Sequence, residues 1–348
     1  MRITVLTDLD KKKDPRSYDK VVDQVVEALK AGGHEATILG VHRDLHALID
    51  GLTKPKPDLV FNLFENFGKV RLGAVCVVGL LDLLEVPYVG GGPGEFFLQQ
   101  DKGITKKLLA FEGVPFPKFA VFTRESTAQN AAALRMPLIV KPLSMDASIG
   151  ISPTSIVSNE KDLMKRVAAV HDKVKDDALV EEFIDGREFN VAVIGNLHPI
   201  ALPPMEIDFS GLPERAARIL DSRAKWDEDS IRFKGTRAVL ADIPPELRLR
   251  LEEVALAACR ALHVRDYGRV DMRVDEAGNP YVIEVNASCY LEQTSEFATA
   301  AAAAGIPYQA LIMRLVDGAV ERLGLTPTPI VPPAVPAAAP ATTPATTK

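Results

Sequence analysis

The segment Tyr267–Asn286 reads YGRVDMRVDEAGNPYVIEVN. Apolar Val270, Met272 and Val274 alternate with Asp271, Arg273 and Asp275. Residues 276–279 supply a turn, and Tyr281, Ile283 and Val285 then alternate with Val282, Glu284 and Asn286. This period-two pattern predicts a β-hairpin. A turn of about four residues sets Asp271 roughly opposite Glu284, and Asn286, two residues on, shares a face with Glu284. Three oxygen ligands on one face suit Mg²⁺ (or Mn²⁺), hard cations that take carboxylates and leave positions for water and phosphate. An isolated pattern of this kind is more often that of a hairpin with a solvated acidic face, so the rest of the chain must decide.

The chain has 348 residues, enough for two or three domains. A net charge of −6 and a pI near 5.6 argue against a general nucleic-acid or membrane-surface binder. Cys76, Cys259 and Cys289 are far apart, odd in number and without metal-ligand spacing, as in a reducing cytoplasm. The N-terminus is a short strand followed by charge rather than a signal peptide. The longest apolar run, Leu72–Leu84, is too short to cross a membrane and carries Asp82. Composition therefore predicts a cytoplasmic protein without nucleic-acid or membrane partners.

Residues 1–95 alternate strands (Ile3–Leu6, Ala36–Leu39, Asp58–Asn62, Pro87–Val89) with helices (Tyr18–Ala31, Leu72–Leu84), the pattern of a doubly wound parallel sheet. Binding crevices in such sheets lie beyond the carboxyl ends of strands, here the Asn62–Gly68 loop and the run Gly90–Gly92. That run is not G-x-G-x-x-G, which excludes a dinucleotide fingerprint. Residues 96–190 hold a lysine-rich helix (Asp101–Glu112), a strand ending in Lys141, and a small-residue loop, Leu143–Ile151, with Ser144, Ser148 and Gly150 suited to cradling phosphate oxygens. A helix over Asn159–Val174 precedes strands at Ala178–Ile184 and Glu188–Ile194, which Asp185-Gly186-Arg187 is expected to join as a hairpin. Residues 191–323 hold an irregular charged stretch, Asp208–Ala241, read as a functional loop, then a helix from Glu246 to Leu262, the Asp271 hairpin and two more helices. Residues 324–348 are almost wholly Pro, Ala and Thr and are expected to be disordered.

Tyr88-Val89-Gly90-Gly91, Asp101-Lys102, Val140-Lys141-Pro142, Leu179–Glu188, Ala224-Lys225-Trp226, Gly268–Asp271 and Glu284-Val285-Asn286 together resemble the ATP-grasp ligases, and within them the D-alanine–D-alanine ligase family. The resemblance covers roughly residues 1–323 and implies an α/β (α+β) ATP-grasp fold. The N-terminal domain would be pre-ATP-grasp, and ATP would lie between the central and C-terminal domains. Carried over by position, Lys102, Lys141 and Ser148 would face the nucleotide phosphates. Glu181, Phe183 and Ile184 would sit at the adenine edge, and Glu188 would take the ribose. Lys225 and Arg269 would act at the terminal phosphate and the negative intermediate, and Asp271, Glu284 and Asn286 would hold Mg²⁺. The implied activity is an ADP-forming carboxylate–amine ligation through an acyl phosphate, under a lid formed by Asp208–Ala241. The implied partners are ATP, small amino-acid or other carboxylate and amine substrates, and a second copy in a homodimer. For Lys102 the plain reading is a solvated helix lysine. For Lys141 that reading is weaker, because burying an unpaired ammonium is costly.

The departures from the family lie on the amino-acid side. The first loop, from Thr7 to Lys13, lacks the family's ammonium-binding glutamate. Its two linked positions are Ala147 and Trp226 here, and Tyr290 stands where the family has glycine. Ser295 falls at a substrate-facing serine position, and Glu65 is the remaining candidate for an ammonium group, equally readable as a helix-capping glutamate near Gly68. Glu292 and Glu296 add negative charge, which favours a cationic or amine-rich substrate. Ligases of other amino acids or of a specialised metabolite, a non-catalytic ATP-binding protein and a kinase-like phosphoryl transfer all remain open. Cys289 reads as a buried filler rather than a reactive thiol.

Overall fold

A computed structural model describes residues 1–11, 14–125, 133–146 and 148–326. The first sheet is all parallel, in the order β2-β1-β3-β4, from β1 (Arg2–Asp8), β2 (Glu35–Val41), β3 (Leu59–Asn62) and β4 (Tyr88–Val89). Helix α1 (Val21–Ala31) covers one face, burying Val21, Val22, Val25, Val26 and Leu29. Helices α2 (Leu45–Thr53) and α3 (Gly73–Leu83) cover the other. Alternate residues of β1 and β3 feed both cores, which is why these strands read as continuous apolar runs.

Two helices lead out of this sheet, α4 (Pro93–Gln100) and α5 (Lys102–Phe111). Helix α4 is not anticipated above, although Gly92 at its cap and Pro93 in its first turn are ordinary helix-start signals. Helix α5 begins where expected, with the Asp101 carboxylate accepting from the Ile104 amide at 2.9 Å. The second sheet is antiparallel, ordered β5-β8-β6-β7, from β5 (Phe119–Phe122), β6 (Leu138–Pro142), β7 (Ile156–Val157) and β8 (Ala178–Glu182), with α6 (Glu160–Ala169) packed on it.

The third sheet runs β12-β11-β9-β13-β14, with β10 pairing β9. Its strands are β9 (Arg187–Ile194), β10 (Ile200–Ala201), β11 (Met205–Asp208), β12 (Arg237–Leu240), β13 (Tyr267–Val274) and β14 (Pro280–Asn286). Helix α9 (Pro245–Ala261) buries Leu247, Leu251, Ala255 and Ala258 against it. The hairpin expected at 185–187 does not form. Strand β8 already has β5 on one edge and β6 on the other, so β9 pairs instead with β11 and β13. Gly186, at φ +152°, carries the chain from one sheet to the other so close to the Val274 carbonyl that a Cβ would collide with it. The expected boundary at residue 190 thus falls inside β9.

The β13–β14 hairpin forms with Asp271 directly opposite Glu284, but its alternation is corrected. Met272 pairs with Val282, so Ile283 is an extra residue in a β-bulge. Val282 and Val285 therefore share the core beneath α9, and Ile283 faces the same cleft as Glu284.

The Asp208–Ala241 stretch is more regular than its sequence suggests. It contains α7 (Ser222–Trp226), α8 (Ile231–Lys234) and the edge strand β12, elements too short for a period to register. Asp221, 1% exposed, caps α7 through the Ala224 amide and pairs with Arg232 at 2.7 Å. Helices α10 (Glu296–Ala303) and α11 (Tyr308–Leu323) return to the first sheet, where Leu311, Ile312 and Leu315 join the α1 core. Left-handed Gly324 ends α11 and Leu325 packs against that core; of the expected tail, residues 327–348 lie outside those described.

Candidate active site

The cleft between the second and third sheets gathers the residues singled out for the nucleotide. Lys102, Lys141, Ser148, Glu181, Phe183, Ile184, Glu188, Lys225, Asp271 and Glu284 all line it. Each side chain comes from an element that fixes it. Lys102 stands in the first turn of α5, Lys141 near the end of β6, Glu181 on β8, Glu188 on β9, Lys225 on α7, and Asp271 and Glu284 on facing strands.

Its charges are paired within the cleft. The Lys102 ammonium lies 3.0 Å from Glu284 and 3.0 Å from Asp146, and donates to the Met145 carbonyl at 2.8 Å. Burial opposes its charge, but the two carboxylates hold it more firmly protonated than an ordinary lysine. Burial pushes the Glu284 carboxyl up, and Lys102 and Lys225 more than offset that push, holding it below the usual range. Glu181, 1% exposed, has Lys106 on one oxygen and Lys141 on the other, each at 2.6 Å. Against burial, these two ammoniums bring it down to about 2. Lys102 and Lys106 are thus the reverse of solvated helix lysines.

Arg273 was not singled out above, yet it ties the cleft together. It donates to the carbonyls of Ile184, Gly186 and Arg218, pairs with Glu188 at 2.8 Å, and lies over the Phe183 ring at 4.9 Å. Its signal was present, because Arg273 follows Asp271 by two residues and so shares its face. One lone pair of the Ile184 carbonyl is thereby taken, which leaves its other lone pair and that residue's amide for a base edge. The Ser148 hydroxyl donates to the Leu220 carbonyl at 2.7 Å, tying the Leu143–Ile151 loop to the Asp208–Ala241 segment.

Arg269 grips Asp271 with one guanidinium edge, its Nε and Nη2 donating to the two carboxylate oxygens at 2.7 and 2.9 Å, and Asn190 and Asn286 also donate to that carboxylate. No group of three His, Cys, Asp or Glu side chains among the described residues is disposed to hold a metal. The donor set nonetheless fits a hard cation. Two carboxylates stand directly across a strand pair with an amide beside them, all oxygen donors of the kind a hard cation takes. The cleft itself encloses only about 80 Å³, room for a few waters and far below the ~300 Å³ or more of a ligand pocket. Admitting a nucleotide requires the cleft to widen.

A second cavity, about 440 Å³, lies beyond the carboxyl ends of β1 and β3, where a doubly wound sheet binds its ligands. Asp8, Asp10, Asp19 and Glu65 line it with Ser288, Cys289 and Tyr290, and no Lys, Arg or His among the described residues does. Burial, then repulsion from Asp8, Asp19 and Asp146, raises the Glu65 carboxyl to about 7, although its side chain stays open to solvent through the cavity. Tyr290 donates to Asp19 at 2.7 Å. Ser295 is not in this cavity; its hydroxyl caps α10. Glu292 also turns away, held by Lys20, Gln24 and Thr294. The negative charge therefore comes instead from Asp8 and Asp10 of the first loop, Asp19 just before α1 and Glu65 just after β3. Ala147 lies outside the described residues, and Trp226 is 67% exposed.

A parallel sheet beside two antiparallel sheets that close on a lysine-lined cleft is the ATP-grasp fold, the architecture of ATP-dependent ligases. The family model for the D-ala D-ala ligase C-terminus matches residues 108–317. A D-alanine–D-alanine ligase of Pelotomaculum thermopropionicum is 30% identical, over 88% of this chain and 93% of its own. An uncharacterised protein, y4sG, of Sinorhizobium fredii is 34% identical, over 88% and 90%. The crystal structure of the Bacillus anthracis D-alanine–D-alanine ligase complexed with ATP superposes with a TM-score of 0.71 at 25% identity, covering 92% of this chain and 98% of that one. The chain belongs to the D-alanine–D-alanine ligase family. No helix among the described residues is long and apolar enough to cross a membrane.

Proposed function

We propose that this protein is an ADP-forming ligase that joins a carboxylate to an amine, with ATP in the cleft and the amine-bearing substrate in the acidic cavity. The observation that carries this reading is the convergence of Lys102, Lys141, Lys225 and Arg269 with the facing Asp271–Glu284 pair between two sheets. A substrate carboxylate oxygen attacks the γ-phosphorus of ATP, the bond to the β-phosphate oxygen breaks, and ADP leaves. The amine nitrogen then attacks the acyl-phosphate carbon, phosphate departs, and the amine proton passes to solvent or phosphate. Mg²⁺ held by Asp271, Glu284 and Asn286 would neutralise charge developing on the phosphates. Lys102 and Lys141 would cradle those phosphates as compact positive charges. Arg269, released from Asp271, would stabilise the oxyanion of the second step, and α7 with α8 would close over the intermediate and exclude water.

Four carboxylates, with no Lys, Arg or His among the described residues of the lining, favour an amine-rich or cationic partner over a plain carboxylate. Glu65 and Asp8 are the seats for its ammonium, with Tyr290 beside them. A three-domain division, with the expected boundary at residue 190 moved to the β8–β9 crossing at Gly186, a homodimer and a cytoplasmic location belong to the same reading. The test is phosphate release from Mg·ATP against D- and L-amino acids, singly and in pairs, and against diamines, with mass spectrometry of the products. Turnover of D-alanine alone to a dipeptide would assign the relatives' reaction. Turnover only with basic or diamine partners would assign the cationic class, and ATP binding without any product would sink the ligase reading.

A further inference from the structure

Lys106 is the most deeply buried cation in the cleft region, 1% exposed, and it does not line the nucleotide cleft. It lies one turn beyond Lys102 on α5, behind Glu181, with its ammonium 2.6 Å from one carboxylate oxygen and 5.8 Å from the Phe116 ring centre. Lys141 holds the other oxygen from the cleft side, also at 2.6 Å. Stability does not explain the arrangement. Taking three charges out of water is expensive, and well-packed apolar residues of similar volume are often neutral or better. The two ammoniums instead do something an apolar residue cannot. They fix the Glu181 carboxylate in one plane and keep it ionised, and each oxygen retains a further lone pair. Glu181 reaches the cleft beside Phe183 and Ile184. An ionised, immobile acceptor there attracts a base edge that carries an amino group and repels one that carries a carbonyl.

We propose that Lys106 is a positioning residue for nucleotide choice. From behind the cleft it holds Glu181 as a fixed acceptor for the exocyclic 6-amino group of a purine triphosphate, and so selects ATP over GTP. This rests on the reading of the cleft as an ATP site. The test compares the dissociation constants of Mg²⁺ complexes of ATP, GTP and purine riboside triphosphate, which lacks the 6-amino group, in wild type, K106M and K106R. Expected is a loss of about tenfold in ATP affinity in K106M, of the size of one hydrogen bond to a charged group. Purine riboside triphosphate should be unchanged, the ATP/GTP preference should fall by the same factor, and K106R should recover part of it. Equal weakening of ATP and purine riboside triphosphate would overturn the proposal, because a merely structural lysine cannot tell them apart. If K106M does not fold, K106Q with the same nucleotide pair decides on the same criterion. Wild-type protein that binds none of the three nucleotides would overturn the ATP-site reading itself, and this assignment with it.

Discussion

At the scale of single residues, Glu65 carries the sharpest pH signature. Its carboxyl is raised to about 7 by burial and by neighbouring carboxylates. A raised carboxyl contributes stability that is fully present below the unfolded pKa near 4.5 and is lost as pH rises through about 7. Glu65→Gln should therefore melt like wild type at pH 5 and higher than wild type at pH 8; an identical difference at both would refute the assignment. Conversely, an ammonium needs the ionised form, so the affinity for an amine substrate should fall as pH drops below about 7, by up to about tenfold per unit, and the Gln variant should show no such slope. The cysteines give a second test. Burial raises Cys259 and Cys289 to about 12, and Cys76 is exposed. The folded protein should release one thiol equivalent to a disulfide reagent and the remainder only on unfolding; rapid reaction of Cys289 would contradict its role as a filler. Some of these residues were legible in the sequence and others were not. Lys141 announces itself by ending an apolar strand. Lys106 hides within Lys106-Lys107 on an amphipathic helix, where the pattern cannot say which lysine turns inward. Ser295 and Glu292 carried the right residue types, but their hydrogen bonds serve a helix cap and an α1 contact.

At the scale of elements, the passage from β8 to β9 governs how the two antiparallel sheets meet. Gly186→Ala would place a Cβ against the Val274 carbonyl at a left-handed φ, which should cost about 3 kcal/mol. Chemical denaturation would detect it, and a change below about 0.5 kcal/mol, the range of ordinary surface substitutions, would show that the crossing relaxes. The Asp185-Gly186-Arg187 sequence is a fair turn signal, yet a turn says only that the chain reverses. Whether the flanking strands pair depends on whether their edges are vacant, and that is a property of the finished sheets. The lid was opaque for a related reason. Helices of five and four residues cannot display a period, and their order comes from the Asp221–Arg232 pair within the segment. The helices α1, α5, α6, α9, α10 and α11, each at least eight residues long with a clear apolar face or cap, were readable.

Across the whole molecule, Asp266 joins parts that are remote in sequence. Buried to 1% exposure, it accepts from the Gly90 amide at 2.7 Å, from Asn196 at 3.0 Å and from Arg322 at 2.9 and 2.8 Å. The first sheet, the start of β13 and the last helix thus meet on one carboxylate. Asp266→Ala would strand Arg322 and remove every one of these acceptors, at an expected loss of about 3–5 kcal/mol. Calorimetry should show a lowered and broadened transition as the first sheet loosens from the rest. A single sharp transition near the wild-type temperature would mean that α11 holds the parts together by apolar contact alone.

Adding or removing one residue in a strand ordinarily turns every later side chain to the opposite face. The β-bulge suspends that rule at the floor of the cleft. Ile283 is supernumerary, so Met272 would still meet Val282 and Asp271 would still meet Glu284 if it were absent. Removing that one residue would therefore leave the core in phase and alter only the shape of the cleft floor. A deletion at Ile283 would thus retune the fit of the cleft without repacking the layer beneath α9.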